Sequence, residues 1–176
     1  MQSRIDVARD QDFRRDGLSG DWLGTGFYFW LDAPKRAWDW ADEVVERAAR
    51  ARPAGASETP GVIIAQLQFN DFWIDLIEQS SWFENFRNAA NHLVTAGILP
   101  EQMGPLSASA LHRRDFAMIE KAMNDARLYG IAVDAIRAAF IEGAPAAERS
   151  ALYSKAHVQI TVRNPRIILA TEPIDR

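Results

Sequence analysis

The chain has 176 residues, 48% of them hydrophobic, which suits one domain with a sizeable core and excludes disorder as a global description. Its 24 acidic and 20 basic side chains leave a formal net charge of −4, so a nucleic-acid partner would have to be met by a local patch rather than by the chain as a whole. With no cysteine, disulfides, zinc–thiolate sites and cysteine nucleophiles are excluded.

The N-terminal stretch MQSRIDVARDQDFRRDG lacks the apolar core of a signal peptide, and no apolar run approaches the ~20 residues of a membrane span. The expectation is a soluble, cytoplasmic protein with no membrane partner. Residues 3–13 are expected to form a short amphipathic helix with Ile5 and Ala8 inward and Phe13 as a further candidate, broken by the glycines of RRDGLSGD. GFYFW reads as a strand, because aromatic residues suit a pleated surface. Asp32 is placed to cap a helix with Pro34 in its first turn, and Ala37, Ala41, Val44 and Ala48 recur at helical spacing up to about Arg52.

After the loop RPAGASETPG, the continuous apolar run from Val62 to Phe69 predicts a strand buried on both faces, followed by a short strand around Ile74. Ser81 with Glu84 forms a capping-box pattern, and Trp82, Phe86, Ala89, Ala90 and Leu93 make one helical stripe that stops at Gly97. ILPEQMGPLSAS is a loop. The next helix spans about Leu111 to Leu128, with Phe116, Ile119, Met123 and Ala126 inward and Gly130 at its end.

AIRAAFIEG predicts a strand ending at Gly143, with a loop to about Ala156. In HVQITVR, Val158, Ile160 and Val162 point one way while His157, Gln159, Thr161 and Arg163 point the other. NPRIILATEP supplies a turn and a closing strand. No repeat or linker divides the chain, so residues 1–176 read as a single α+β domain with helices early and strands concentrated late.

GDWLGTGFYFWLDAPKRAWDWA concentrates aromatics and glycines and has two readings. In one, the aromatics fill a core and the glycines mark turns. In the other, Gly24 and Gly26 let backbone amides approach a ligand, and Tyr28 emerges beside Trp30 as a platform for a planar heterocycle.

GTGFYFW leading into KRAWDWA, then AAFIEG, then HVQITVRNPRII, resemble in this order the ADP-ribosyltransferase superfamily, in particular bacterial domains of its diphtheria-toxin and poly(ADP-ribose) polymerase branch. The resemblance covers most of residues 13–170 and implies a split pair of small antiparallel sheets with flanking helices. It implies NAD as co-substrate in a cleft between the sheets, with transfer to a protein or nucleic-acid acceptor, as in a bacterial toxin or defence effector.

By the same resemblance Tyr28 stacks on the nicotinamide, Gly24 and Gly26 shape the adjoining turn, and Trp40, or else Trp38 if it is not simply packing, offers a second ring. Gln159 matches the position that usually carries a catalytic glutamate. A glutamine can hydrogen-bond a ribose hydroxyl but cannot stabilise positive charge, which leaves Glu142 as a remote candidate for the missing acid. Gln159 also reads as an ordinary polar residue on a half-buried strand. His157 shares its face and is a cofactor-binding candidate, although a lone imidazole is more often a surface or capping residue than a catalytic base.

The family's opening His-Gly-Thr strand has no match: His92, His112 and His157 are the only histidines and all follow the tyrosine strand. The chain is expected to begin one strand late, either because its start lies upstream or because part of the NAD site is lost, and the missing strand would expose an edge of its neighbour. A non-catalytic binding module on the same fold is therefore the alternative. Carboxylate pairs such as Asp39/Glu43 and Glu120/Asp125 read as solvated helix faces, and the arginines of LHRRDF and VRNPR as helix-end and loop residues.

Overall fold

The computed structural model describes residues 22–51, 59–69, 72–78, 81–101 and 107–176. The helix expected over residues 3–13 lies outside them. In chain order the elements are β1 (Phe27–Trp30), α1 (Pro34–Ala51), β2 (Val62–Leu67), β3 (Trp73–Asp75), α2 (Trp82–Thr95), α3 (Ala108–Leu128), β4 (Ala135–Phe140), β5 (His157–Val162), a 3-10 turn (Pro165–Ile167) and β6 (Ile168–Ile174). The protein is α+β with two small sheets, although strands and helices interleave rather than separating early from late.

The larger sheet has the order β1-β5-β4-β3, and the smaller is the β2–β6 ribbon. β5 runs antiparallel to both neighbours, setting Tyr28 opposite Thr161, Trp30 opposite Gln159, and Phe140 opposite His157. β3 and β4 pair in parallel, a departure from the all-antiparallel sheets expected. The cause lies in the connection: α2 and α3 cross over between these strands, and a helical crossover returns the chain in the same direction.

The core has two parts. On one face of the large sheet, Ile74, Ile136 and Ala138 pack with Phe86 and Ala89 of α2 and Ile119, Ala122 and Met123 of α3, and Tyr28 leans against them. On the other face, Ala135, Ile160 and Val162 pack with Ile167, joined by Phe27, Phe29 and Leu67. β5 is thus covered on both sides. On its polar face Thr161 is fully buried and His157 is buried as well, whereas Gln159 is half-buried.

Other expectations change for local reasons. β2 ends at Leu67 and alternates in burial, with Ile64 well exposed, because a two-stranded ribbon has only one covered face. Asp32 adopts φ 50° in the turn before α1, so the first free carbonyl position falls to Ala33, which accepts from the Arg36 and Ala37 amides. Ser81 is helical in backbone and makes no side-chain cap bond. Ser107 caps α3 instead, accepting from the Ala110 amide, and starts that helix three residues before Leu111.

Two of the presumed surface charges are a structural tie. The Arg163 side chain is 6% exposed and donates to both carboxylate oxygens of Glu120, at 2.7 and 3.1 Å. Glu120 also accepts from the Thr25 amide at 2.7 Å, joining α3, the end of β5 and the turn before β1. Burial pushes the Glu120 carboxyl up, but the hydrogen bonds from Arg163 and Thr25 and the arginine's charge outweigh it and hold the group below its ordinary value.

Because the folded value is depressed, this stabilisation is present above the unfolded carboxyl pKa and is lost as pH falls through the folded one. Acidification from about pH 6 to about pH 3 should lower the urea midpoint of the native chain more than that of Glu120→Gln, and equal acid sensitivity would contradict the assignment. Close packing yields a second expectation. A Cβ on Gly26 would collide with Thr161 Cγ2 and lie 2.7 Å from the Val162 carbonyl oxygen. Gly26→Ala should therefore lose about 1–3 kcal/mol, read as a lower urea midpoint at unchanged m.

Candidate functional site: an aromatic and ionic cleft against α1

A cleft of about 290 Å³ opens between α1, the start of α3 and the two arms that flank the β4–β5 connection. Its aromatic walls are Trp22, Trp40 and His112. Trp22 stands just before the turn into β1, where its ring lies 3.8 Å from that of His112 and meets Phe140 edge-on at 4.4 Å. Trp40 sits on the exposed side of α1, with the Arg47 guanidinium over it at 4.9 Å and Trp30 at 6.1 Å.

The ionic part is built around Arg36. Its guanidinium donates to Asp39 at 3.2 Å and to Glu142 at 3.0 Å, so α1 is joined to the residue that follows β4. Arg47 pairs with Glu43 on the same helix, and Lys155 supplies a third cation from the segment before β5. Glu142 and Lys155 are held close because the Lys155 amide donates to the Glu142 carbonyl at 3.0 Å. Burial pushes the His112 imidazole below its ordinary value, and the nearby Glu142 charge opposes this only in part, so the ring is neutral near pH 7.

The residues singled out from the sequence fall in three places. Trp40 is in the cleft wall together with Glu142, whereas Trp38 is not, being covered by Arg176 at 5.5 Å. Gln159 and His157 share one face of β5 and line neither cavity, with Gln159 paired to Trp30 and His157 beside the ring of Phe140 at 5.9 Å. His157 is buried rather than on the surface, and its Nδ1 lies 2.6 Å from the Lys155 carbonyl oxygen. That carbonyl requires the proton on Nδ1, leaving the buried Nε2 without a hydrogen-bond partner.

Gly24 and Gly26 lie in the turn that leads into β1 and Tyr28 is that strand's second residue, where their geometry has a structural cause. The Tyr28 hydroxyl donates to the Gly24 carbonyl at 2.8 Å and accepts from the Leu23 amide at 2.9 Å. Gly24 has φ 78°, and a Cβ there would meet the Glu120 carboxylate and lie 2.9 Å from Arg163. The turn that these residues build carries Trp22 to the cleft.

A larger cavity of about 870 Å³, predominantly apolar, is lined by β1, α1 and β2, and Tyr28 and Trp40 both border it. Trp40 borders both spaces, but ionic groups converge only on the smaller one. Among the described residues no group of three or more His, Asp or Glu side chains is placed to hold a metal ion, and no helix is long and apolar enough to cross a membrane.

Fold and cleft together define an α+β protein with a small polar pocket walled by tryptophan. No protein-family model matches the chain, and no curated protein or solved structure is detectably similar to it. The cleft residues missed in the sequence are Trp22, Arg36, Arg47, His112 and Lys155. Arg36 and Glu142 are 106 positions apart, and no local spacing signals such a pair.

If the Tyr28 hydroxyl is a turn pin, Tyr28→Phe should cost about 1–3 kcal/mol by leaving the Leu23 amide and Gly24 carbonyl unpaired, while an aromatic ring remains in place. A urea midpoint equal to that of the native chain would contradict this role.

Proposed function

We propose that the chain is an NAD-dependent ADP-ribosyltransferase that works on a protein or nucleic-acid acceptor, with the nicotinamide–ribose end of NAD in the cleft beside Trp40. One observation carries the reading: a carboxylate, Glu142, and two tryptophans, Trp22 and Trp40, line the same cleft. A flat ring between Trp22 and Trp40 suits a pyridinium, whose positive charge is attracted to aromatic faces. The volume of about 290 Å³ suits one end of a dinucleotide rather than the whole, and Lys155 and Arg47 at the rim suit the diphosphate.

The reaction requires the bond from ribose C1′ to the nicotinamide nitrogen to break, with its electron pair leaving on nicotinamide, while positive charge builds on the sugar. Glu142 is the group that opposes this charge, whereas Gln159 lines neither cavity. Arg36 fixes the Glu142 carboxylate and at the same time diminishes its negative field.

The last point, with glutamine at position 159, favours a second reading in which the chain holds NAD or a related nucleotide without cleaving it. Nicotinamide release by the purified chain separates the two. The transferase reading expects release that falls about 10²-fold or more in Glu142→Gln, and weaker NAD binding in Trp40→Ala. Binding without release would support the second reading. A folded chain that neither binds NAD nor releases nicotinamide would overturn both.

A further inference from the structure

We infer that His112 is the general base of the cleft and that the acceptor it serves is a hydroxyl, with water as the simplest case. The inference rests on the transferase reading above. Of the chain's three histidines, only His112 lines the cleft, and it does so together with the one carboxylate that flanks the β4 end.

Its placement is specific. α3 delivers the imidazole at its N-terminal turns, and the stack with Trp22 at 3.8 Å fixes the plane of the ring, half-buried and facing the cleft. The charged groups around this space are Glu142 and Lys155 from the β4–β5 connection, and Arg36, Asp39, Glu43 and Arg47 from α1. Arg36 holds Glu142 and Asp39, and Glu43 holds Arg47, so the carboxylates are engaged as ion-pair partners. His112 makes no such pair and is the group left to take a proton.

The acceptor class follows from what a neutral imidazole does. A carboxylate acceptor arrives ionised and needs no base, and a guanidinium would enter beside the cations of Arg36, Arg47 and Lys155. A hydroxyl is neutral and must lose a proton as it attacks, which is the task imidazole performs near neutral pH. In the transfer, the hydroxyl oxygen bonds to C1′ as the C1′–nitrogen bond breaks. The electron pair of that bond leaves on nicotinamide, and the hydroxyl proton passes to a His112 ring nitrogen and then to solvent.

The test uses the full chain with water as acceptor, following nicotinamide release from NAD across pH, with NAD affinity measured in parallel by tryptophan fluorescence. His112→Phe keeps a ring against Trp22 and removes the base, and His112→Gln serves as a second variant should the first not fold. The native rate is expected to fall on the acid side, where the imidazole protonates, below its ordinary value near 6.5. Both variants should lose about 10²-fold in rate, lose that acid limb, and bind NAD as the native chain does.

A variant that keeps the native rate and pH profile would overturn the role of His112 while leaving the transferase reading intact. A variant whose rate falls only in proportion to NAD affinity would make His112 a binding residue and likewise overturn it. No release by the native chain would instead sink the transferase reading itself.

Discussion

The tie between Arg163 and Glu120 is the constraint from which the rest of the site follows. It joins the end of β5 to the middle of α3, and through the Thr25 amide it reaches the turn that leads into β1. Its three anchors lie on separate elements, so breaking it loosens the packing of helix on sheet and the entry to β1 together. With Gly24 at positive φ beneath the pair and the Tyr28 hydroxyl bridging the same turn, the backbone there has little freedom to move. The direction in which Trp22 leaves that turn is set accordingly, and Trp22 is the wall on which His112 stacks.

The second constraint is the covered position of β5. The helices close one face and the ribbon of β2 and β6 closes the other, so polar side chains on β5 must find internal partners or remain without them. His157 satisfies one nitrogen on the Lys155 carbonyl, whereas its Nε2 and the Thr161 hydroxyl are buried unpaired. Unpaired buried polar atoms cost stability.

Much of the architecture was legible because it rests on local patterns. The stripe of Phe86, Ala89 and Leu93, and that of Ile119, Met123 and Ala126, gave the buried faces of two helices directly. The short strand at Ile74 and the alternation of HVQITV were also visible. What failed depended on neighbours: the apolar run at Val62 was read as doubly buried, but its ribbon has a single covered face, and Ser81 carries a capping-box pattern without forming the cap. The parallel pairing of β3 with β4 follows from the helical crossover rather than from either strand's residues.

The site was legible only in part, for the same reason. Trp40 and Glu142 were candidates, but nothing in the order of residues says that Arg36 would bind them into one cleft with His112 and Lys155. Glu120 and Arg163 illustrate the converse, since each looks like a surface charge until α3 meets the end of β5. Tyr28 was read as a ligand platform, and the structure gives its hydroxyl a turn to hold.

The most direct test is an NMR titration of the indole N–H signals with NAD, since the six tryptophans are spread over the molecule. The indoles of Trp22 and Trp40 should shift, while those of Trp73 and Trp82, away from the cleft, should not. Shifts confined to Trp73 or Trp82, or no shift in any signal at millimolar NAD (about 1 mM, a weak-binding limit), would contradict the assignment of the cleft as the nucleotide site.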